Sequence, residues 1–355
     1  MAKKKLEAEV LEHGENAIEQ QETAGLSQSQ IVLRRFVRHR AAMISLFMLV
    51  AVILFVFTAS GLRFGAGRDA FVVPGWWHYS ITDMPDLEYE KCPEGIIGCP
   101  SLNLIPGKGF GLGDHPFGQD DIGRDYFALT MRGAEQSIMI MFVIGIIAAV
   151  IGTVVGAVSG YFRGWVDSLL MRFTDLIITI PTVIIGAVIG YRVGNLGVFF
   201  LGVYLGLFAW TGLARLVRGE FLSLREREFV DAARVAGASN RRIIFKHILP
   251  NAVGVIIVSV TLLMSGAIIL ESALSYLGFG VVSPDVSLGS LISQYQDSFT
   301  TRPWLFWWPG VIIITIALCI NFIGDGLRDA FDPRQRRRIS RKEREQAKTV
   351  EKATA

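Results

Sequence analysis

The side chains able to do chemistry in this chain are few, and they do not gather into a recognisable site. His13, His39, His78, His115 and His247 lack the short spacings that hold a metal ion. Nothing resembles a serine or cysteine nucleophile set beside a histidine base. A phosphate loop of the form Gly, four residues, Gly-Lys-Ser/Thr is also missing, because the Gly107-Lys108 pair runs straight into Gly109. These residues predict a protein that is not an enzyme and needs no cofactor of its own. Cys92 and Cys99 lie among Pro93, Gly98 and Pro100. They read either as a disulfide in an oxidising compartment or as two unrelated thiols. Cys319 falls in an apolar run and reads as a small core residue.

The polar segment with the most distinctive pattern is 214–251. Phe229, Ala232, Ala233 and Ala236 recur at i, i+3, i+4 and i+7, which predicts a helix with one narrow apolar face. Gly237 then closes that helix. A second short helix is expected from about Asn240 to His247, and Pro250, after Leu249, is expected to end it. Such a face can press into the groove of a partner protein or lie against lipid. A lipid-interface helix usually shows larger anchors such as Trp or several Leu, so its alanines favour the groove.

What must position this segment is a membrane bundle. Hydrophobic residues make up 51% of the 355 positions and charged residues only 19%, where soluble domains average about 25% charge. Mean hydropathy is +0.43. The 35 basic and 32 acidic residues leave a net charge of +3, which argues against nucleic acid as a partner. Apolar runs of a length suited to bilayer-crossing helices occur at 41–62, 138–160, 173–191, 196–213, 252–275 and 306–326. The expected fold is therefore an all-α membrane protein with six transmembrane helices.

Basic residues set the expected orientation. Arg34, Arg35, Arg38 and Arg40 precede the first run, and Arg328, Arg334 and Arg336 to Arg338 follow the last, so both termini are expected in the cytoplasm. Segment 63–137 carries six basic and eleven acidic residues, net −5, and is expected outside. Segment 214–251 carries eight basic and four acidic residues, net +4, and is expected inside. The resulting organisation is a disordered tail (1–30), a lead-in and first span (31–62), an outer loop (63–137), a five-helix core (138–326) and a basic tail (327–355) that grips anionic lipid. Gly152, Gly156 and Gly160 form a small-residue strip suited to close helix packing. Pro181 predicts a break in the third span. Asp175, Glu271 and Asp325 fall near span ends, where water or a partner is close at hand. The shortage of carboxylates at mid-span weakens a proton- or sodium-coupled carrier.

Residues 229–251, FVDAARVAGASNRRIIFKHILPN, resemble the EAA loop of ABC-importer permeases, with Asp231, Ala232, Ala233, Gly237, Leu249 and Pro250 in the places of Glu-Ala-Ala, Gly and Leu-Pro. The stretches His115 to Ile138, Gly160 to Asp175, Ile269 to Gly280 and Asn321 to Arg334 are similar to the C-type permease subunits of dipeptide, oligopeptide and nickel importers. The likeness runs from about 30 to 335. It departs at Asp231 (usually Glu), in an enlarged 63–112 region, and at Ser287-Leu288-Gly289, where Ser-Trp-Gly is commoner. The resemblance implies a type I ABC importer permease in a bacterial cytoplasmic membrane. Its partners would be a homologous second permease, two ATPase subunits that bind ATP and Mg, and an extracytoplasmic substrate-binding protein. It further implies a coupling helix within 225–248, with Phe229, Ala232, Ala233 and Ala236 as packing contacts and Gly237 as the turn. Asp231, Arg234 and Arg241 would be its polar contacts. Di- or oligopeptides are the expected cargo, with nickel or oligosaccharides as alternatives. A channel, a scaffold or a secondary carrier are the readings from other classes.

Overall fold

The computed structural model describes residues 28–64, 71–87, 92, 97–102 and 113–332. The two tails lie outside these residues except at their inner edges, where Gln28 to Gln30 and Leu327 to Phe331 are helical. Among the described residues four helices are each long and apolar enough to span a bilayer: α2 (Arg40–Ser60), α3 (Tyr126–Phe162), α9 (Asn240–Tyr276) and α11 (Trp304–Phe331). Two bent pairs raise the number to six when each counts as one span. These are α4 (Gly164–Thr179) with α5 (Thr182–Val193), bent by 80°, and α6 (Val198–Ala209) with α7 (Thr211–Arg225), bent by 43°. Within the four long helices only 22–39% of the most apolar window is buried. Most of that apolar surface therefore faces outward, as a membrane solvent allows and water does not.

Shorter elements complete the chain. An amphipathic α1 (Gln28–Arg38) precedes α2, and α8 (Glu228–Val235) follows α7. Helix α10 (Leu288–Tyr295) lies between α9 and α11. A two-stranded antiparallel ribbon, Leu62–Phe64 with Phe71–Val73, interrupts the otherwise helical fold. His39 clasps the two ends of the bundle: its Nδ1 accepts the Ala42 N–H that opens α2, and its Nε2 lies 3.4 Å from Asp329 near the end of α11. Phe331 packs on Gly254 in the first half of α9, less than two turns from Ile248 beneath α8. The start of α2 and the end of α11 therefore share the side of the bundle that carries α8.

Several boundaries differ from the hydropathy runs, each for a physical reason. Helix α3 begins at Tyr126 rather than near 138, because its polar first turns are satisfied inside the protein. Arg132 meets Glu135 at 2.7 Å, Ser60 donates to Glu135 at 2.9 Å, and Gln136 bonds both Asp285 and the Val286 N–H. The third span is two helices, not one. Pro181 has no N–H to continue the ladder and holds Ile180 extended at φ −85°, ψ 124°. The stretch 161–172, which joins the second and third apolar runs, is largely helical within α4.

Pro250 does not end a helix. Helix α9 runs through it, widening into a π-helical stretch over Ile243–Ile248 in which Leu249 N–H bonds Ile244 O, five residues back. The looser turn absorbs the missing donor and the ring of the proline.

The glycine strip faces α7. Added Cβ atoms would come within 3.0 Å of Trp210 O at Gly152, 2.5 Å of Ala214 O at Gly156 and 2.7 Å of Arg218 O at Gly160. Those neighbours are backbone atoms and cannot rotate away. Gly156→Leu is therefore expected to cost on the order of 3 kcal/mol, visible as a lowered thermal midpoint of the purified protein. An unchanged midpoint would show that α3 and α7 do not approach this closely.

Candidate functional site

The buried side of α8 explains its placement. Val230 is fully buried and packs with Tyr161, Phe221, Ile243, Ile244 and Ile248, joined by the half-buried Ala233 and Ala238. Polar contacts hold the same block together. Tyr161 Oη donates to Asn240 Oδ1 at 2.8 Å, the Arg225 guanidinium reaches Tyr161 O, and Arg163 pairs with Glu226 at 2.6 Å. Helix α8 is thus seated on the ends of α3, α7 and α9 as part of a rigid unit.

The face expected as one apolar stripe is divided. Ala233 turns inward with Val230, whereas Phe229, Ala232 and Ala236 are exposed. Val235, which the stripe omitted, is 91% exposed and joins the outward set. The reason is angular: Val230 and Ala233 lie one turn apart on the side that meets Ile243 and Ile248, which rotates the stripe away from its expected centre. Asp231 and Arg234 bond each other at 2.8 Å across one turn, both exposed. Arg241 lines a shallow depression with Ser239, Arg242 and Phe245 beside α8. Leu249 is half-buried against the same core, and Pro250 is exposed within α9.

The end of α8 is a Schellman motif. Gly237 adopts φ 78°, its N–H bonds Arg234 O at 2.9 Å, and Ala238 N–H bonds Ala233 O at 3.0 Å. Ser239 then caps α9 through the Arg242 N–H. Among the described residues nothing lies within 4 Å of a Cβ added at Gly237, so the turn is open on this side. Chemically this arrangement offers a small, preformed apolar knob with charged edges. It can bind a protein surface and transmit force, and it presents no reacting group.

The opposite end carries an ordered polar cap that reasoning from the sequence did not resolve. Asp125 is completely buried and caps α3 through the Ala128 N–H at 2.8 Å. It also accepts from Trp77 Nε1 at 2.7 Å and bonds His115 Nδ1 at 2.9 Å. Asp120 accepts the Ile122 and Arg124 N–H groups, the Arg124 guanidinium at 2.6 Å and Tyr295 Oη at 2.9 Å. Burial, with the Asp120 charge added, holds the Tyr295 phenol well above the usual tyrosine range, so it stays a donor at any working pH. An N-cap aspartate directly before Tyr126 was the available sequence signal for this helix start.

Glu271 is not at a hydrated helix end. It is wholly buried in α9, where Ser275 Oγ donates to it at 2.7 Å and the Ser137, Ser272 and Ser287 hydroxyls converge on it. Cys92 and Cys99 are joined as a disulfide with Cα atoms 5.7 Å apart. Gly98, next to that bridge, accepts the Gln119 N–H at 2.9 Å, which ties the small loop to the polar cap.

Residues 152–337 match the family described as the binding-protein-dependent transport system inner membrane component, and residues 27–83 match the N-terminal membrane domain of oligopeptide transport permease C. The oligopeptide transport system permease protein OppC of Mycobacterium tuberculosis (strain ATCC 25618 / H37Rv) is 39% identical over 87% of this chain and 96% of its own length. The protein of that name from Escherichia coli (strain K12) is 36% identical over 91% of this chain and 96% of its own length. Among solved structures, an inward-facing form of the MetNI methionine ABC transporter aligns with TM-score 0.49 and 21% identity, covering 57% of this chain and 96% of that one. With one family matched across half of its residues and such relatives along most of its length, the chain belongs to the inner membrane components of binding-protein-dependent transport systems: it is a non-catalytic, multi-pass permease subunit of an ABC importer.

Proposed function

We propose that this permease forms half of a pathway for oligopeptides and takes its power through α8. The observation that carries this reading is the outward face of Phe229, Ala232, Val235 and Ala236 on a helix whose inner face is locked into the bundle. Asp231, Arg234 and Arg241 edge that face and supply its polar contacts. A fixed apolar knob surrounded by charge suits a groove on a second protein, where apolar burial gives affinity and the rim gives register. That second protein is an ATPase subunit, which holds the ATP and Mg that this chain does not bind.

A homologous permease completes the pathway, two ATPases serve the pair, and a substrate-binding protein delivers cargo to the opposite face. The net charges of −5 on 63–137 and +4 on 214–251 support an orientation with α8 and both termini in the cytoplasm of a bacterial cell. The names of the relatives support peptides as the cargo.

The test is co-expression with candidate ATPase, second permease and binding protein, followed by reconstitution into vesicles. A stoichiometric complex that accumulates labelled peptide only with ATP is expected. Uptake that persists without ATP and fails when a proton gradient is collapsed would replace this reading with a secondary carrier. ATP-dependent uptake of nickel or an oligosaccharide, with peptide excluded, would overturn the cargo.

A further inference from the structure

We propose that Asp167, Asp175, Arg215 and Arg218 are positioning residues that lace α4 to α7, so that movement of the docking helix passes into α4 and swings it about Ile180–Pro181. The inference rests on the docking role of α8 proposed above.

The lacing is visible in the contacts. Asp167 receives a bidentate pair from Arg218, Nε to Oδ1 at 2.6 Å and Nη2 to Oδ2 at 2.7 Å, and the Ser159 hydroxyl of α3 completes its shell. Two turns further along α4, Arg215 Nη2 meets Asp175 Oδ1 at 2.5 Å, and Phe173 stacks over Trp210 at 6.4 Å. In α4 itself only Thr174 is buried, so apolar packing alone holds this helix loosely. Helix α7 is the reverse case, set into the glycine strip of α3 and leading through Glu226 and Arg227 directly into α8. A helix with little packing, tied to a well-packed arm by one planar bidentate pair and one single-bonded ion pair, follows that arm.

The other half of the broken span is anchored elsewhere. A Cβ on Gly190 would fall 1.5 Å from Phe279 O, and one on Gly186 would fall 2.5 Å from Leu274, so α5 is pressed onto the far end of α9 and the turn beyond it. Between the two halves, the extended Ile180 and the donor-less Pro181 break the hydrogen-bond ladder. One half therefore belongs to the arm that bears α8 and the other to the opposite end of the bundle. The bend between them is where a relative rotation costs fewest hydrogen bonds. The Asp175–Arg215 pair is about half exposed on both sides. Such a pair adds little to stability, so its loss tests transmission more than folding.

The experiment uses the whole importer in vesicles with a mixture of tritiated tri- and pentapeptides, and reads peptide moved per ATP hydrolysed. Asp167→Arg and Arg218→Asp singly are each expected to lower that ratio roughly fivefold or more, and the double exchange to restore at least about half of it. If either single variant does not accumulate, Asp175→Cys with Arg215→Cys carries the test. The unlinked pair should transport less per ATP, and joining the two thiols with a short bifunctional reagent should bring the ratio back to within about twofold of the unmodified importer.

A linker that stops transport would show that α4 slides against α7 and would overturn the proposal. So would single variants whose ratio is unchanged. If the unmodified importer itself shows no ATP-dependent uptake, the docking role falls and the lacing with it. A working importer with indifferent variants overturns the lacing alone.

Discussion

Gly237→Glu is expected to leave the protein folded and inserted while lowering ATP-dependent uptake roughly tenfold or more, because a bare carboxylate buried at a docking face costs at least about 1.4 kcal/mol. Two local facts separate the effects on fold and coupling. The φ of 78° at this position makes any side chain strained, by about 1–2 kcal/mol, which a domain of ordinary stability survives. Among the described residues nothing lies within 4 Å of an added Cβ, so no described core is disturbed. What remains is the new charge beside the exposed Val235 and Ala236, on the surface proposed to meet the ATPase. Gly237→Ala is the control: it carries the same backbone strain without the charge, and most of its uptake should persist. Equal losses in the two variants would trace the defect to the turn itself, and full uptake with glutamate would show that the ATPase docks elsewhere. Binding of the ATPase, measured by co-purification, should fall in parallel with uptake for glutamate only.

At the other end, Asp125→Ala is expected to cost on the order of 4 kcal/mol. That sum combines a lost helix cap of about 1 kcal/mol with one buried and one half-buried donor left unpaired, at about 1–3 kcal/mol each. The donors are Trp77 Nε1 and the ring of His115, and the cap is the Ala128 N–H. Trp77 lies 4.5 Å from the Phe127 ring and Tyr79 stacks on His115 at 4.8 Å, so both donors are held where the carboxylate must be. Asp125→Asn retains a carbonyl oxygen and should recover part of the loss. Thermal unfolding of the purified protein, followed by tryptophan fluorescence, reads both. A shift no larger than that of a typical surface substitution would mean that the cap does not hold the start of α3.

The class of fold was legible because membrane spans are written in long, local runs of apolar residues. The runs at 41–62 and 306–326 correspond closely to α2 and α11. The α8 segment was legible as far as its turn, since a glycine after an amphipathic stretch has a local meaning that tertiary contacts seldom reverse. Three features were not legible for the same reason in different forms. The start of α3 at Tyr126 depends on partners for Arg132, Glu135 and Gln136 that come from Ser60, Asp285 and Val286. The continuity of α9 through Pro250 depends on a π-helical stretch whose inward residues, Ile243, Ile244 and Ile248, pack on α8 and its neighbours. Burial of Glu271 depends on hydroxyls from α3, from α9 itself and from Ser287, the cap that precedes α10.

Residue order alone therefore determined that the chain is a helical membrane bundle, that a proline breaks the third span, and that a short alanine-rich helix ends at Gly237. Those properties follow from hydropathy, missing donors and backbone freedom, which act over a few residues. Tertiary structure decided which side of that helix is offered. Val230 found a pocket among Tyr161, Phe221 and Ile248, took Ala233 inward with it, and left Phe229, Ala232 and Val235 facing out. A helix can present any of its faces until another element covers one, and the covering residues here lie far away in the chain.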